Sequence, residues 1–183
     1  MTRRKPTTVK KISLLEMLNE AFNSVIETDF KIVDYGDYFS CEFTSKNGNK
    51  YDLEFHYGEE YGNTKLNNGK TLNETMGVKR QIIPCLELGF TLHDVVDKDN
   101  PDEYEIDANL KEQFDVFGRM VYIVKKIISK DKKYKLFIIG ANPRRNRMDM
   151  YRKIFENHFT DMFDIYEGKS MAHEGNSLFI IKK

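Results

Sequence analysis

Apolar and polar residues alternate over residues 38–57, and this period of two predicts a β-hairpin. Every second residue is apolar over 39–43 and again over 51–57. Asn47-Gly48 lies between the two runs, and this dipeptide suits the tight turn of a hairpin because both residue types tolerate a positive φ. We therefore expect two antiparallel strands joined at Asn47-Gly48.

Three other segments repeat their apolar residues every three or four positions, which is the period of an amphipathic helix. They cover residues 12–26, 117–130 and 146–159. The second segment ends in lysines, which the helix macrodipole favours at a C-terminus. Each segment is therefore expected to be a helix with one buried face.

Further strands are expected where apolar residues alternate or run together between turn signals. These runs lie at 82–92, 104–110, 134–141, 163–168 and 177–183. The first two are expected to form a second hairpin. Residues 58–79 are rich in Gly, Asn and Thr and show no sustained period, which predicts a long loop with a functional or flexible character.

The order of these elements indicates the fold class. Hairpins give antiparallel strands, whereas a strand-helix-strand unit gives a parallel pair. We therefore expect an α+β domain with a single mixed, mainly antiparallel sheet flanked by helices. A chain of 183 residues suits one domain, to which we assign residues 12–183, and residues 1–11 are expected to form a flexible basic tail.

Composition narrows the class of protein further. Lys plus Arg and Asp plus Glu number 29 each, so the net charge of zero gives no reason to expect nucleic acid or membrane as a partner. Cys41 and Cys85 are too few for a disulfide framework and lack metal-binding spacing with the histidines, so buried, reduced thiols and no metal site are expected. No apolar run approaches the roughly 20 residues that span a bilayer. The expected location is the cytoplasm, or the host cytoplasm if the protein is viral.

The segment "QFDVFGRMV", residues 113–121, carries a glycine close to the start of a predicted helix. It is similar to the Gln/Arg-x-x-Gly-x-Gly/Ala signature of the GNAT acyltransferase superfamily. Gln113 and Gly118 match that signature, and Val116 stands where the family has its first glycine.

The segment "NPRRNRMDMYRKIF", residues 142–155, carries the second resemblance to this superfamily. In the family an Asn is followed by a helix with the motif "LYEKLGF", and Tyr151 falls on the family's tyrosine. The order of elements over residues 100–183 also resembles that of the family, whereas the N-terminal half does not match.

The resemblance implies an acyl-CoA-dependent N-acyltransferase that uses acetyl-CoA. It places the pyrophosphate of the cofactor against Gln113, Val116, Gly118, Arg119, Asn142, Arg144 and Arg145. Helix-opening amides bind such an anion because their N–H groups are unpaired, and glycine lets the backbone approach closely. Tyr151 would protonate the leaving CoA thiolate. Glu87 and His93 are candidate bases for the acceptor amine, and positioning with a solvent-linked base is the alternative.

Tyr151 also has a purely structural interpretation. It shares a helical face with Ile154, Phe155 and Phe159. A tyrosine at such a position can belong to the core with its hydroxyl at the edge.

The arginines at the start of the same predicted helix admit three explanations. Arg144, Arg145 and Arg147 lie where the macrodipole disfavours cations unless an anion is bound. A CoA or nucleotide phosphate, a nucleic acid, or ion pairs with Asp149 and Glu156 would each explain them.

The sequence is compatible with three further functions. The pattern of residues 104–155 is similar to that of uncharacterised small proteins of tailed phages, which implies a non-catalytic accessory, virion or host-interaction protein with a protein partner. A nucleic-acid binder would use the basic start of the chain and residues 144–152. A nuclease would need metal ligands, and the candidates are Asp52, Glu54, Glu59 and Glu60.

Overall fold

The computed structural model describes residues 23–92, 110–140, 147–171, 173 and 175–183. Seven strands and three helices lie in this part of the chain. In order they are β1 (Phe30–Asp34), β2 (Tyr38–Thr44), β3 (Lys50–Tyr61), α1 (Leu72–Met76), β4 (Ile82–Leu92), α2 (Leu110–Lys130), β5 (Leu136–Gly140), α3 (Arg147–Phe159), β6 (Phe163–Lys169) and β7 (Asn176–Lys182).

All seven strands form one sheet in the order β1-β2-β3-β4-β5-β7-β6. Every neighbouring pair is antiparallel except β4 and β5, which are parallel. The predicted α+β class with a mixed, mainly antiparallel sheet is therefore confirmed. The hairpin at Asn47-Gly48 is confirmed as well, because β2 and β3 flank it and Gly48 has a φ of 91°.

The parallel joint between β4 and β5 is short. Only Leu86 with Phe137 and Glu87 with Ile138 are in register, although β4 continues to Leu92. A parallel pair needs a long crossover, and here the crossover contains α2. The last paired residue of β5 is Ile138, so the pairing ends two residues before β5 itself ends.

Two layers cover the sheet. Helices α2 and α3 pack on the face that carries the main core, where the alternating residues of β2 and β3 meet Ile123, Phe155 and Phe159. On the other face, Leu66 and Leu72 pack with Phe179 and further residues of β4, β5 and β7. We call these the α2–α3 face and the α1 face.

The expected long loop over 58–79 is partly wrong. Strand β3 runs on to Tyr61, since its pairing with β4 extends as far as Tyr61 opposite Ile82. Leu72–Met76 forms helix α1, which Thr71 starts with a capping box. The sequence did not predict these two elements because the segment is rich in Gly and Asn and has no local period. The end of β3 is stabilised by its partner strand, and α1 by the burial of Leu72.

The segment 62–71 also covers part of the outer edge of β6. Leu66 forms a bridge with Gly168, and the Asn67 amide donates to the Glu167 carbonyl at 2.7 Å. Strand β1 lies at the other edge, and β2 is its neighbour within the described sheet.

Helix α2 begins seven residues before the predicted start at 117, and α3 agrees with its prediction to within one residue. The predicted tail at 1–11, most of the first helix and residues 104–109 of the predicted strand lie outside the described residues. Leu110, the last residue of that strand, is helical. Residues 24–29 are not helical, so the first predicted helix ends earlier than 26.

Within the described ranges, no helix is both long enough and apolar enough to cross a membrane.

Candidate active site

A cavity of about 200 Å³ lies between the sheet and the two helices on the α2–α3 face. It is lined by Leu53, Leu88, Gly89, Phe117, Met120, Val121, Val124, Ile139, Gly140, Tyr151, Ile154, Phe155 and Phe159. These side chains are almost all apolar, so the cavity favours an apolar group.

The cavity lies where β4 and β5 stop pairing. Leu88 and Gly89 follow the last register pair on β4, and Ile139 and Gly140 follow it on β5. The C-terminal ends of parallel strands that part in this way are the usual place for a ligand in an open α/β sheet. The walls of the site are therefore formed by strands and helices of the sheet and its covering layer.

Tyr151 is the lining residue that carries a hydroxyl group. It lies on α3, is half-buried, and borders the cavity beside Ile154 and Phe155. Its ring packs against the core and also borders the cavity, so its position agrees with the structural interpretation, and its role as an acid stays a prediction.

A carboxylate and an imidazole meet on the opposite side of the joint. Glu87 of β4 lies on the α1 face, and its Oε2 is 3.5 Å from Nε2 of His173. Gly140 makes this approach feasible, because a Cβ at that position would lie 2.6 Å from the imidazole ring. Glu87 was a candidate base, and the structure adds His173 to it.

His173 was missed in the sequence because it lies in a polar connection between β6 and β7, 86 positions from Glu87. No motif spacing links two residues so far apart. His93, the other candidate base, lies outside the described residues.

The second pair on this face is Glu54 and His56, whose Oε2 and Nε2 are 2.8 Å apart. His56 is directly opposite Glu87 in the pairing of β3 with β4, and Glu54 is opposite Gly89. Two carboxylate–imidazole pairs thus lie side by side across two strands.

The segment that resembles the GNAT signature has a different setting from the expected loop. Gln113, Val116 and Gly118 all lie within α2, so the amides of Val116 and Gly118 belong to the helix ladder. Val116 is buried in the core. A Cβ at Gly118 would lie 2.7 Å from Cγ1 of Ile26, and the Gly118 carbonyl accepts a hydrogen bond from the Ile26 amide at 3.0 Å.

Arg119 is engaged by the protein itself. Its guanidinium forms a two-bond ion pair with Asp115 at 2.9 and 3.1 Å and donates to the Thr28 hydroxyl at 2.8 Å. Together with Gly118, it fastens residues 26–28 to α2. These contacts give both residues a structural role that a search for phosphate-binding motifs does not anticipate.

Glu112 explains why α2 begins before the signature. Its buried carboxylate accepts hydrogen bonds from side chains of the turn between β2 and β3, namely those of Ser45, Asn47 and Asn49, and from the Tyr51 hydroxyl. Burial alone would raise the pKa of Glu112, but these donors lower it below its ordinary value. Burial and the Glu112 charge together raise the pKa of Tyr51 to about 12.

The basic start of α3 lies largely outside the described residues. Asn142, Arg144 and Arg145 belong to the range 141–146. Arg152, one turn further along the helix, forms ion pairs with Glu167 and, at 3.8 Å, with Asp149. Arg152 is thus held by acids of the same chain.

The carboxylates considered for a nuclease all lie on β3. Asp52 and Glu54 share the α1 face, as the alternation predicted. Glu60 is fully buried and accepts hydrogen bonds from the Thr64 hydroxyl and from the Met171 amide. In the described part of the chain no three His, Cys, Asp or Glu side chains are grouped as metal ligands would be.

Both cysteines are free and buried, as expected. Burial raises the pKa of Cys41 and of Cys85 to about 12. Neither thiol is therefore suited to act as a nucleophile.

No family model, no curated protein and no solved structure matches the chain. A function is therefore inferred from the site alone. Its parts are the apolar cavity with Tyr151 and the pair Glu87–His173 on the other side of the same joint.

Proposed function

We propose that this protein is an acyltransferase that takes its acyl group from acyl-CoA. The observation that carries the proposal is the apolar cavity at the C-terminal ends of the parallel pair β4 and β5, with Tyr151 in its wall. The resemblance of residues 142–155 to the GNAT superfamily agrees with this position of Tyr151.

The size and lining of the cavity fit the reactive end of such a substrate. Apolar cavities of about 150 Å³ stay dry and bind molecules of the size of benzene. A cavity of about 200 Å³ therefore suits an acyl group and its thioester, while the nucleotide would stay outside it. Leu88, Phe117 and Ile139 would contact the acyl chain.

One group of this chain would move a proton in the proposed reaction. When bound, acyl-CoA supplies an activated acyl carbon. The attacking amine would form the new bond to that carbon and lose its proton to solvent, because Glu87 lies on the α1 face of the sheet and does not line the cavity. The bond to sulfur breaks, and the Tyr151 hydroxyl would donate a proton to the leaving thiolate.

The pyrophosphate would have to be held away from α2. Val116, Gly118 and Arg119 pack and pair within the protein, so the proposal gives them no role in binding. It relies instead on the cavity and on Tyr151.

Thermal unfolding with and without acyl-CoA tests the proposal. A ligand at about 100 times its dissociation constant adds about 2.7 kcal/mol to the free energy of unfolding. For a domain of this length that corresponds to a rise in Tm of about 5 °C or more.

A pair of matched variants shows whether the cavity is responsible. Val124 lines the cavity and Val25 is exposed. We expect Val124→Phe to fill the cavity and abolish the rise in Tm, and Val25→Phe to retain it. Wild-type protein without any shift at millimolar acetyl-CoA and butyryl-CoA would contradict the proposal.

The structure also offers support for a second candidate, a non-catalytic protein with a protein partner. The supporting observation is that Val116, Gly118 and Arg119 serve packing and pairing in α2. A folded wild-type protein that binds no acyl-CoA would favour this candidate.

A further inference from the structure

Three aromatic rings are stacked at the end of the sheet that carries the β1–β2 turn. The rings of Tyr35 and Tyr38 are 4.7 Å apart at an angle of 13°, and those of Tyr38 and His56 are 4.8 Å apart at 18°. We call these three residues the aromatic ladder. The ladder lies outside the cavity and has no part in the proposed reaction.

Tyr35 ends the ladder with an open ring. Tyr38 covers one face of it, yet Tyr35 is 52 % exposed, so the exposed area belongs mainly to the other face and the ring edges. Elsewhere in the chain Lys133 covers such rings, with its Nζ 4.8 Å from the Tyr134 centroid and 5.6 Å from that of Tyr57. Among the described residues, no lysine or arginine lies over Tyr35.

Carboxylates lie near the aromatic ladder. The turn reads "DYGDY", so Asp34 and Asp37 flank Tyr35, and Asp34 fixes the turn by accepting a hydrogen bond from the Gly36 amide at 2.9 Å. Desolvation and the charge of Glu54 raise the pKa of Tyr38, and Asp37 adds to the effect. The negative field is local, because the whole chain has a net charge of zero.

We propose that the tip 34–38 is a docking surface for an arginine-bearing basic segment of a partner protein. A guanidinium stacks well on an aromatic face while its N–H groups pair with carboxylates at the ring edge. The Tyr35 ring offers the face, and Asp37 of the same turn offers a carboxylate. Complementary charge and ring geometry thus define the chemistry of the occupant.

The neighbouring strand favours a peptide over a small cation. Strand β1 leads directly into the tip and is an edge strand of the described sheet. An extended segment can add to such an edge through backbone hydrogen bonds. Its arginine would then reach Tyr35 from the added strand.

Binding of a labelled peptide tests the docking surface. The probe is a ten-residue peptide in which Arg alternates with Gly and Ser, labelled with fluorescein and followed by fluorescence anisotropy in about 0.15 M salt. We expect saturable binding, no binding of the same peptide with citrulline for Arg, and about tenfold weaker binding by Tyr35→Ala. Tyr61→Ala is the matched control, since Tyr61 is 45 % exposed and lies outside the ladder.

Further variants separate ring stacking from charge. Tyr35→Phe keeps the ring and should bind as the wild type does, whereas Asp37→Asn should bind several-fold more weakly and with a smaller salt dependence. Equal thermal unfolding of all variants shows that they are folded. Undetectable binding at millimolar peptide, or equal binding by Tyr35→Ala and Tyr61→Ala, would overturn the proposal.

Two other occupants are distinguished in the same experiment. Spermine that binds with the same dependence on Tyr35 and as tightly as the peptide would identify a small cation and overturn the assignment to a peptide. Sedimentation that shows a dimer lost in Tyr35→Ala would identify a second copy of this chain, which also overturns it.

Discussion

At the scale of single residues, the structure depends on a few polar side chains that connect distant segments. Glu112 joins the turn between β2 and β3 to the first turn of α2, and its partners lie more than 60 positions away in sequence. Glu112 is 6 % exposed, so replacing it would leave its hydrogen-bond donors without an acceptor, and water could reach them only poorly. One carboxylate thus sets the position of a helix on the sheet.

Glu112→Ala should therefore destabilise the protein. Because several buried or half-buried donors lose their acceptor, we expect the free energy of unfolding to fall by roughly 2–3 kcal/mol. Urea denaturation measures the change. Glu156→Ala, an exposed position on α3, is the control and should change it by less than about 0.5 kcal/mol.

Gly118→Ala would raise the free energy of unfolding if Gly118 were in an open helix position and lower it if the position is packed. In an open helix position Gly→Ala stabilises by up to about 1 kcal/mol. Here the new methyl group would meet Ile26, so we expect Gly118→Ala to lower the free energy of unfolding by about 1 kcal/mol or more. Adding Ile26→Ala should remove the clash, and a double-mutant cycle in urea measures the coupling.

Tyr151 allows a direct test of the proposed chemistry. Tyr151→Phe keeps the ring in the wall of the cavity but removes the hydroxyl proton, so turnover should fall by about a hundredfold while acyl-CoA affinity is kept. The measurements are steady-state kinetics and thermal shift on the same protein. Tyr166→Phe, on the other face of the sheet, serves as the control, and an unchanged turnover in Tyr151→Phe would remove Tyr151 from the mechanism.

At the scale of elements, sequence periodicity identifies those elements whose burial pattern is local. The alternating hairpin of β2 and β3 and the amphipathic helix α3 were predicted because each element carries its own apolar face. Helix α1 was not, since only Leu72 of its five residues is buried. The additional turns of α2 depend on Glu112 reaching the β2–β3 turn, which no local pattern records.

The candidate site was predictable only in part for the same reason. Tyr151 and Glu87 were recognised as residue types in plausible positions. The cavity arises from the early end of the β4–β5 pairing, and His173 reaches Glu87 over Gly140 through the tertiary fold. Neither property is encoded in the spacing of residues along the chain.

Leu72 tests how much α1 contributes to the fold. It is fully buried in the core of the α1 face, so Leu72→Ala should leave a cavity and lower the free energy of unfolding by about 2–5 kcal/mol. Urea denaturation followed by circular dichroism measures it. Met76→Ala, at a half-buried position of the same helix, should cost less, and equal costs would show that α1 is held by other contacts.

At the scale of the whole molecule, acid stability should follow from the carboxylates at the start of α2. Burial would raise the pKa of Asp115, but hydrogen bonds from Arg119 and from the Lys46 amide lower it, and the pKa of Glu112 is lowered likewise. A carboxyl whose pKa is lower in the folded state binds its proton more weakly there than in the unfolded chain. Its contribution is therefore present above the unfolded pKa of about 4 and is lost as the pH falls through the folded value.

We accordingly expect the urea midpoint to decrease as the pH falls from about 5 to about 3. The double variant Glu112→Gln and Asp115→Asn has no charge to lose at these positions, so its midpoint should be lower at neutral pH and should depend less on pH. A midpoint with the same pH dependence in both proteins would show that other groups govern acid unfolding.

The two margins of the sheet differ, and the difference limits how copies of the chain can associate. Asn67 and Leu66 cap part of the β6 margin, whereas β1 pairs only with β2 within the described sheet. Fibrils built by strand addition need two free margins on every molecule, one for each neighbour. Two molecules that join through β1 would expose only the partly covered β6 margins, so strand addition of this kind favours a closed pair over a filament.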